Sequence, residues 1–90
     1  MTLSQEQLLT TLMGLGLTRI DSQVYLFLAK RGPQKGNALI GALNAPGGQV
    51  YRSLKNLQSK GIITVTMEHP ARFSAIPFDA FLESVHAILL

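Results

Sequence analysis

A mainly α-helical domain with one small β-hairpin is the fold class this sequence predicts, and three observations predict it. Through the first two thirds of the chain, apolar residues recur at three- and four-residue spacing in four runs separated by glycine, proline or asparagine. After Gly61 the period shortens to two, as in a strand with one buried face. From Asp79 onward helical spacing returns. Ninety residues make a single domain. A chain of that size buries only about 60–65% of the surface its unfolded form exposes, which leaves little room for an enclosed ligand pocket.

Each element follows from local chemistry. Ser4-Gln5-Glu6-Gln7 has the pattern of a capping box, and Leu8, Leu9, Leu12 and Met13 give a first amphipathic helix that Gly14 and Gly16 end. Thr18 with Asp21 repeats the capping signature. Ile20, Val24, Phe27 and Leu28 then form the stripe of a second helix closed by Gly32-Pro33. A short third helix is expected from about Gly36 to Leu43, with Leu39, Ala42 and Leu43 inward and Asn44 as its left-handed end. Pro46 suits the first position of a fourth helix with a Val50, Leu54 and Leu57 stripe, ending at Lys60-Gly61. Ile63, Val65 and Met67 alternate with polar residues in a strand, His69-Pro70-Ala71 turns, and Arg72 to Ile76 returns before Pro77. Phe78, Phe81, Val85 and Ile88 give a last helix its stripe. The chain divides into a domain over residues 1–77 and a terminal helix over 78–90.

Composition sets outer limits. Apolar residues make up 47% of the chain and charged ones 14%, a balance that implies apolar surface covered by a second subunit or another domain. Without cysteine, neither a disulfide framework nor a thiolate metal site is possible. Met1-Thr2-Leu3-Ser4 does not read as a signal peptide, and no apolar run reaches the ~20 residues of a membrane span. A cytoplasmic protein is expected, with no cofactor.

Charge is the most directional feature. Between Asp21 and Glu68 there is no acid, while Lys30, Arg31, Lys35, Arg52, Lys55 and Lys60 fall inside that window, so a net charge of +3 conceals a uniformly basic middle. Such a segment is the footprint of a surface that meets phosphate, or else a solvated face that lacks acids. Its position favours phosphate. A short helix joined by the tight turn Leu43-Asn44-Ala45-Pro46 to a longer helix, then a hairpin, is the order of a winged helix-turn-helix with an additional C-terminal helix. Projected at 3.6 residues per turn, Gly48, Arg52, Lys55 and Ser59 lie opposite the buried stripe of the fourth helix, with Asn56 beside them.

The ordered set Gly32-Pro33, Val50-Tyr51-Arg52-Ser53-Leu54-Lys55-Asn56-Leu57, Lys60-Gly61-Ile62-Ile63 and Pro70-Ala71-Arg72-Phe73-Ser74-Ala75-Ile76-Pro77 resembles the DNA-binding domain of the TrmB-type transcriptional regulators. Leu15-Gly16-Leu17-Thr18 and Val24-Tyr25-Leu26 match that family's first two helices, so the resemblance runs from about Leu8 to Leu82. It implies a DNA-binding transcription factor, often dimeric, whose domain is usually followed by a coiled-coil helix and a sugar-binding domain. No small-molecule effector site is expected within this chain. Where the family usually has basic or hydroxyl side chains at the start of the recognition helix, this chain has Gly47-Gly48-Gln49. The glycines read either as a close backbone approach to phosphate or as an unused DNA surface.

The expected DNA-contacting set is therefore Lys35, Gly47, Gly48, Gln49, Arg52, Lys55, Asn56, Ser59 and Arg72, with Gln49 and Arg52 able to make bidentate base contacts. His69 reads as a turn residue, His86 as a surface or interface residue, and Tyr51 as core packing with its hydroxyl at the rim. The glycine spacing of Gly36-Asn37-Ala38-Leu39-Ile40-Gly41 resembles a phosphate loop, but Ala42-Leu43 replace the required Lys and Ser/Thr, and no catalytic constellation is visible. The apolar stripe of the last helix is wide enough to cover its own domain and still offer a seam, so Phe78, Phe81, Val85, Ile88 and Leu89 are expected to form a homodimer seam, the alternative being that this helix simply packs on the first. The function expected is sequence-specific binding of double-stranded DNA by a dimeric regulator. The alternative is a winged helix used for protein contacts that has lost DNA readout.

Overall fold

The computed structural model describes residues 4–89, with side chains through Glu83. Its elements are α1 (Gln5–Gly14), α2 (Arg19–Arg31), β1 (Gln34–Lys35), α3 (Gly36–Leu43), α4 (Gly47–Ser59), β2 (Ile63–Val65), β3 (Arg72–Ala75) and α5 (Phe78–Leu89). Both predicted capping boxes form. The Ser4 hydroxyl accepts from the Gln7 amide at 3.1 Å while Gln7 Oε1 accepts from the Ser4 amide at 2.8 Å. Thr18 and Asp21 do the same for α2, at 3.1 and 3.4 Å. These bonds satisfy amides that a helix start otherwise leaves without partners.

Helix α2 is the spine on which α1, α4 and β3 pack. Val24, Tyr25 and Leu28 meet Val50, Leu54 and Leu57 of α4 in one core that also takes in Leu9, Leu12, Ile62 and Ile63. Each such side chain contributes about 1.5–3 kcal/mol by leaving water. The stripe expected for α4 is thus the buried one, whereas on α2 Tyr25 and Leu26 are buried and Ile20 and Phe27 lie at the edge. Tyr25 is held by its hydroxyl, which donates to the Ile76 carbonyl at 2.8 Å. Burial, with the nearby Asp79 charge adding to it, pushes the Tyr25 phenol above its usual value.

The wing differs from the expected two-stranded hairpin. Its sheet has three antiparallel strands in the order β1-β3-β2, with Lys35 opposite Arg72, Gln34 and Val65 opposite Phe73, and Ile63 opposite Ala75. A two-residue strand is too short to show an alternation in sequence, which is why β1 was not expected. Strand β2 also stops earlier than its pattern implied. It ends at Val65, and Met67, expected inward, is 96% exposed where the chain turns. The Thr66 amide still donates to the Arg72 carbonyl at 2.9 Å, and the Arg72 amide to Thr66 Oγ1 at 3.0 Å, closing the base of the turn.

Phe81 corrects a second expectation. Assigned by its spacing to a dimer seam, it is fully buried in the domain's own core, with its ring centroid 4.9 Å from that of Tyr25 and 5.7 Å from that of Phe78. Nothing of it remains to offer a partner. Phe78 is 46% exposed. The side chains of Val85, Ile88 and Leu89, the rest of the expected seam, lie outside the described residues, as does that of His86.

Candidate nucleic-acid interface

Helices α3 and α4 meet at a tight joint. Asn44 ends α3 in the left-handed region at φ 50°, with its amide on the Ile40 carbonyl at 3.1 Å, and Pro46 is the N-cap of α4, one position before the expected one. Asparagine adopts that backbone more readily than most residues because its short polar side chain interacts locally. Pro46 fixes the entry but caps no amide through its side chain. The Gln49 and Val50 amides donate to the Pro46 carbonyl at 3.0 and 3.2 Å, which leaves Gly47 and Gly48 as the amides that carbonyls of the helix do not reach.

The two glycines there have different surroundings. A Cβ on Gly47 would meet Ile40 Cδ1 at 3.3 Å, a close approach that the end of the Ile40 side chain would have to yield to by a few tenths of an ångström. A Cβ on Gly48 would meet nothing within 4 Å, and Gly48 is exposed. The domain's own packing does not ask for glycine at 48.

Along α4 the outward face is as projected: Gly48, Arg52, Lys55 and Ser59 are exposed, and Gln49 lies exposed at its flank. No acid stands on this helix. Asn56 turns inward by comparison. It is half-buried, and its amide donates to Asp21 Oδ2 at 3.1 Å, which commits one of its hydrogens to α2. The Ser59 hydroxyl donates to the Asn56 carbonyl at 2.9 Å, so it is occupied with the end of its own helix. Gln49, Arg52 and Asn56 line a cleft of about 900 Å³ between α4, the α3–α4 turn and the start of α2.

The wing supplies a second basic group. Lys35 and Arg72 are direct cross-strand partners, both exposed. The neighbouring pair, Gln34 and Phe73, is half-buried, with Phe73 packed against the core, so alternation puts Lys35 and Arg72 together on the other side of the sheet. Like charges directly opposite weaken a strand pair unless an anion compensates them. Tyr51 borders this region. It is 48% exposed, contrary to the expected core role, and its hydroxyl occupies the space where a Cβ of Gly36 would stand, 2.5 Å from that position.

The basic window of the sequence is therefore divided by the fold. Lys35, Arg52 and Lys55 are exposed on the wing and α4, whereas Lys30 donates to Gln5 on α1 and the Arg31 guanidinium lies 5.8 Å over the Phe27 ring. Sequence reasoning missed the link between Asp21 and α4, for which the signal was Ser53 and Asn56 at three-residue spacing on the same helix. Among the described residues, no cluster of side chains suits a metal ion and no helix is long and apolar enough to cross a membrane.

Fold and joint together define a winged helix-turn-helix domain. The family model for the sugar-specific transcriptional regulator TrmB matches residues 12–79, and the chain belongs to that family. It is 28% identical over 86 residues to the HTH-type sugar sensing transcriptional regulator TrmBL1 of Pyrococcus furiosus, a match that takes in 96% of this chain and 25% of the relative. Among solved structures, TrmBL2, an archaeal chromatin protein with a novel mode of DNA binding, superposes with a TM-score of 0.87 at 17% identity, over 97% of this chain and 34% of that one. YusO from Bacillus subtilis superposes at 0.69 with 22% identity, over 92% of this chain and 62% of that one. A possible transcriptional regulator from Methanosarcina mazei gives 0.71 with 19% identity, over 86% and 71%. The chain spans about a quarter of the length of TrmBL1.

Proposed function

We propose that this chain binds double-stranded DNA sequence-specifically, as one half of a dimer, and regulates transcription. The observation that carries the reading is the exposed, acid-free outer face of α4, placed behind a helix-turn-helix joint and accompanied by the Lys35–Arg72 pair on the wing. Helix α4 enters the major groove, Gln49 and Arg52 meet base edges, and Lys35, Lys55 and Arg72 meet phosphates. Membership of a family of transcriptional regulators supports it, as do the regulatory role named for TrmBL1 and the DNA binding named for TrmBL2. The dimer is proposed from the apolar spacing of Val85, Ile88 and Leu89 and the exposed Phe78.

Arg52 and Lys55 divide the labour by chemistry. A planar guanidinium can bond a guanine edge with two parallel hydrogen bonds, whereas an ammonium acts as a point charge. Arg52→Ala should cost about 1–3 kcal/mol at one base position, and Lys55→Ala should weaken binding to all duplexes alike. Affinities for a duplex selected from a random pool and for its scrambled counterpart test this. Equal losses on both duplexes from both variants would count against the assignment.

Gly48 is proposed to let a phosphate approach the first amides of α4. Because nothing in the domain meets an added methyl group, Gly48→Ala should stabilise the fold by about 0.5–1 kcal/mol in urea denaturation while weakening duplex binding. A stabilised variant with undiminished affinity would show that the glycine serves no contact.

A further inference from the structure

The Asp21 carboxylate is 3% exposed and has no cation within salt-bridge distance among the described residues. A charge so placed is costly unless hydrogen bonds compensate it. Two donors come from α4: Ser53 Oγ donates to Oδ1 and Asn56 Nδ2 to Oδ2 at 3.1 Å. The Thr18 amide donates to Oδ2 from Asp21's own helix, at 3.4 Å. One buried carboxylate thus caps α2 and grips α4 at two points a turn apart, using both its oxygens.

Apolar packing between α2 and α4 is strong but non-directional, and helices so packed accept a range of crossing angles and rotations. Hydrogen bonds to fixed atoms do not. Ser53 adjoins Arg52 and Asn56 adjoins Lys55, so each grip sits beside a residue of the outward face. At a side-chain radius of about 5–6 Å, a helix rotation of roughly 20° carries an outward group some 2 Å, enough to lose a bidentate base contact. A phosphate contact by a long lysine side chain tolerates that displacement.

We infer that Asp21 is a positioning residue for DNA reading: it fixes the rotation of α4 about its axis and thereby controls discrimination between sequences more than affinity for DNA as such. This rests on the DNA-binding reading above, but the rotation itself can be measured without DNA. Asp21→Ala removes both grips. Asp21→Asn keeps an acceptor for Ser53 and, with the Asn56 amide turned over, a pair with Asn56.

The test combines two measurements on the native chain, Asp21→Ala and Asp21→Asn. Residual dipolar couplings of backbone amides report the orientation of α4 relative to α2. Titrations against a duplex selected from a random pool and its scrambled counterpart report discrimination. Asp21→Ala should change the α4 couplings and lower affinity for the selected duplex about tenfold or more, with the scrambled duplex within about twofold and the salt dependence unchanged. Asp21→Asn should restore both readouts to near native values. Should Asp21→Ala not fold, Ser53→Ala and Asn56→Ala, which each remove one grip, should show the same pattern in weaker form. Unchanged couplings in the grip variants, or equal losses on both duplexes, would overturn the inference. If the native chain binds neither duplex, the DNA reading fails and the assignment to sequence discrimination fails with it, while the couplings alone decide whether Asp21 sets the rotation.

Discussion

Affinity of this chain for duplex DNA is expected to fall by about three to five decades between roughly 50 and 200 mM salt. The cause is counterion release: each phosphate neutralised frees condensed cations, and a dimer engaging about 6–10 phosphates depends on salt to that degree. Lys35, Lys55 and Arg72 are exposed, and no acid stands on α4 or β3 to neutralise them within the face. Two copies of these three cations already reach the lower end of that range. Fluorescence anisotropy of a labelled duplex at several salt concentrations gives the slope directly. A shallow slope with tight binding would mean that apolar or base contacts dominate and that the basic face is incidental.

Phe81→Ala is the second large effect, at about 3–5 kcal/mol of folding stability. The ring is fully buried against Tyr25 and Phe78, so its removal leaves a cavity where three aromatic residues now meet. The loss should be independent of protein concentration, because the contact lies within one chain. Urea denaturation at two protein concentrations checks both statements. A loss that grows on dilution would return Phe81 to a subunit interface, where its spacing alone had placed it.

The reason that spacing misled is instructive. Phe78, Phe81, Val85 and Ile88 mark an apolar stripe, but periodicity shows only that a helix has an apolar face and not what covers it. The first turn of α5 is covered by α2 through Tyr25. By contrast, the bounds of α1 to α4 were legible nearly to the residue because their ends carry local chemistry: two capping boxes, Asn44 at φ 50° and Gly32 and Gly61 at φ 79° and 74°; within α3, Ala42 is exposed rather than inward. What was not legible needs the third dimension. Strand β1 exists only because β3 pairs with it, and the Lys35–Arg72 neighbourhood joins residues far apart in sequence. Asp21 forms the cap that its spacing from Thr18 predicts, yet its grip on Ser53 and Asn56 depends on how α2 crosses α4. On the outer face of α4 the exposure of Gly48, Arg52, Lys55 and Ser59 was visible because helical projection needs only the sequence of one element, whereas the inward turn of Asn56 and the exposure of Tyr51 depend on what packs beside that helix.

The most direct test is a duplex titration of the native chain beside the triple variant Lys35→Ala, Lys55→Ala, Arg72→Ala. The native chain should bind a labelled duplex saturably at about 50 mM salt, and the variant should remain folded while its slope of log affinity against log salt drops by roughly five for a dimer. No binding by the native chain at low salt, or an undiminished slope in the folded variant, would contradict the assignment of DNA binding to this face.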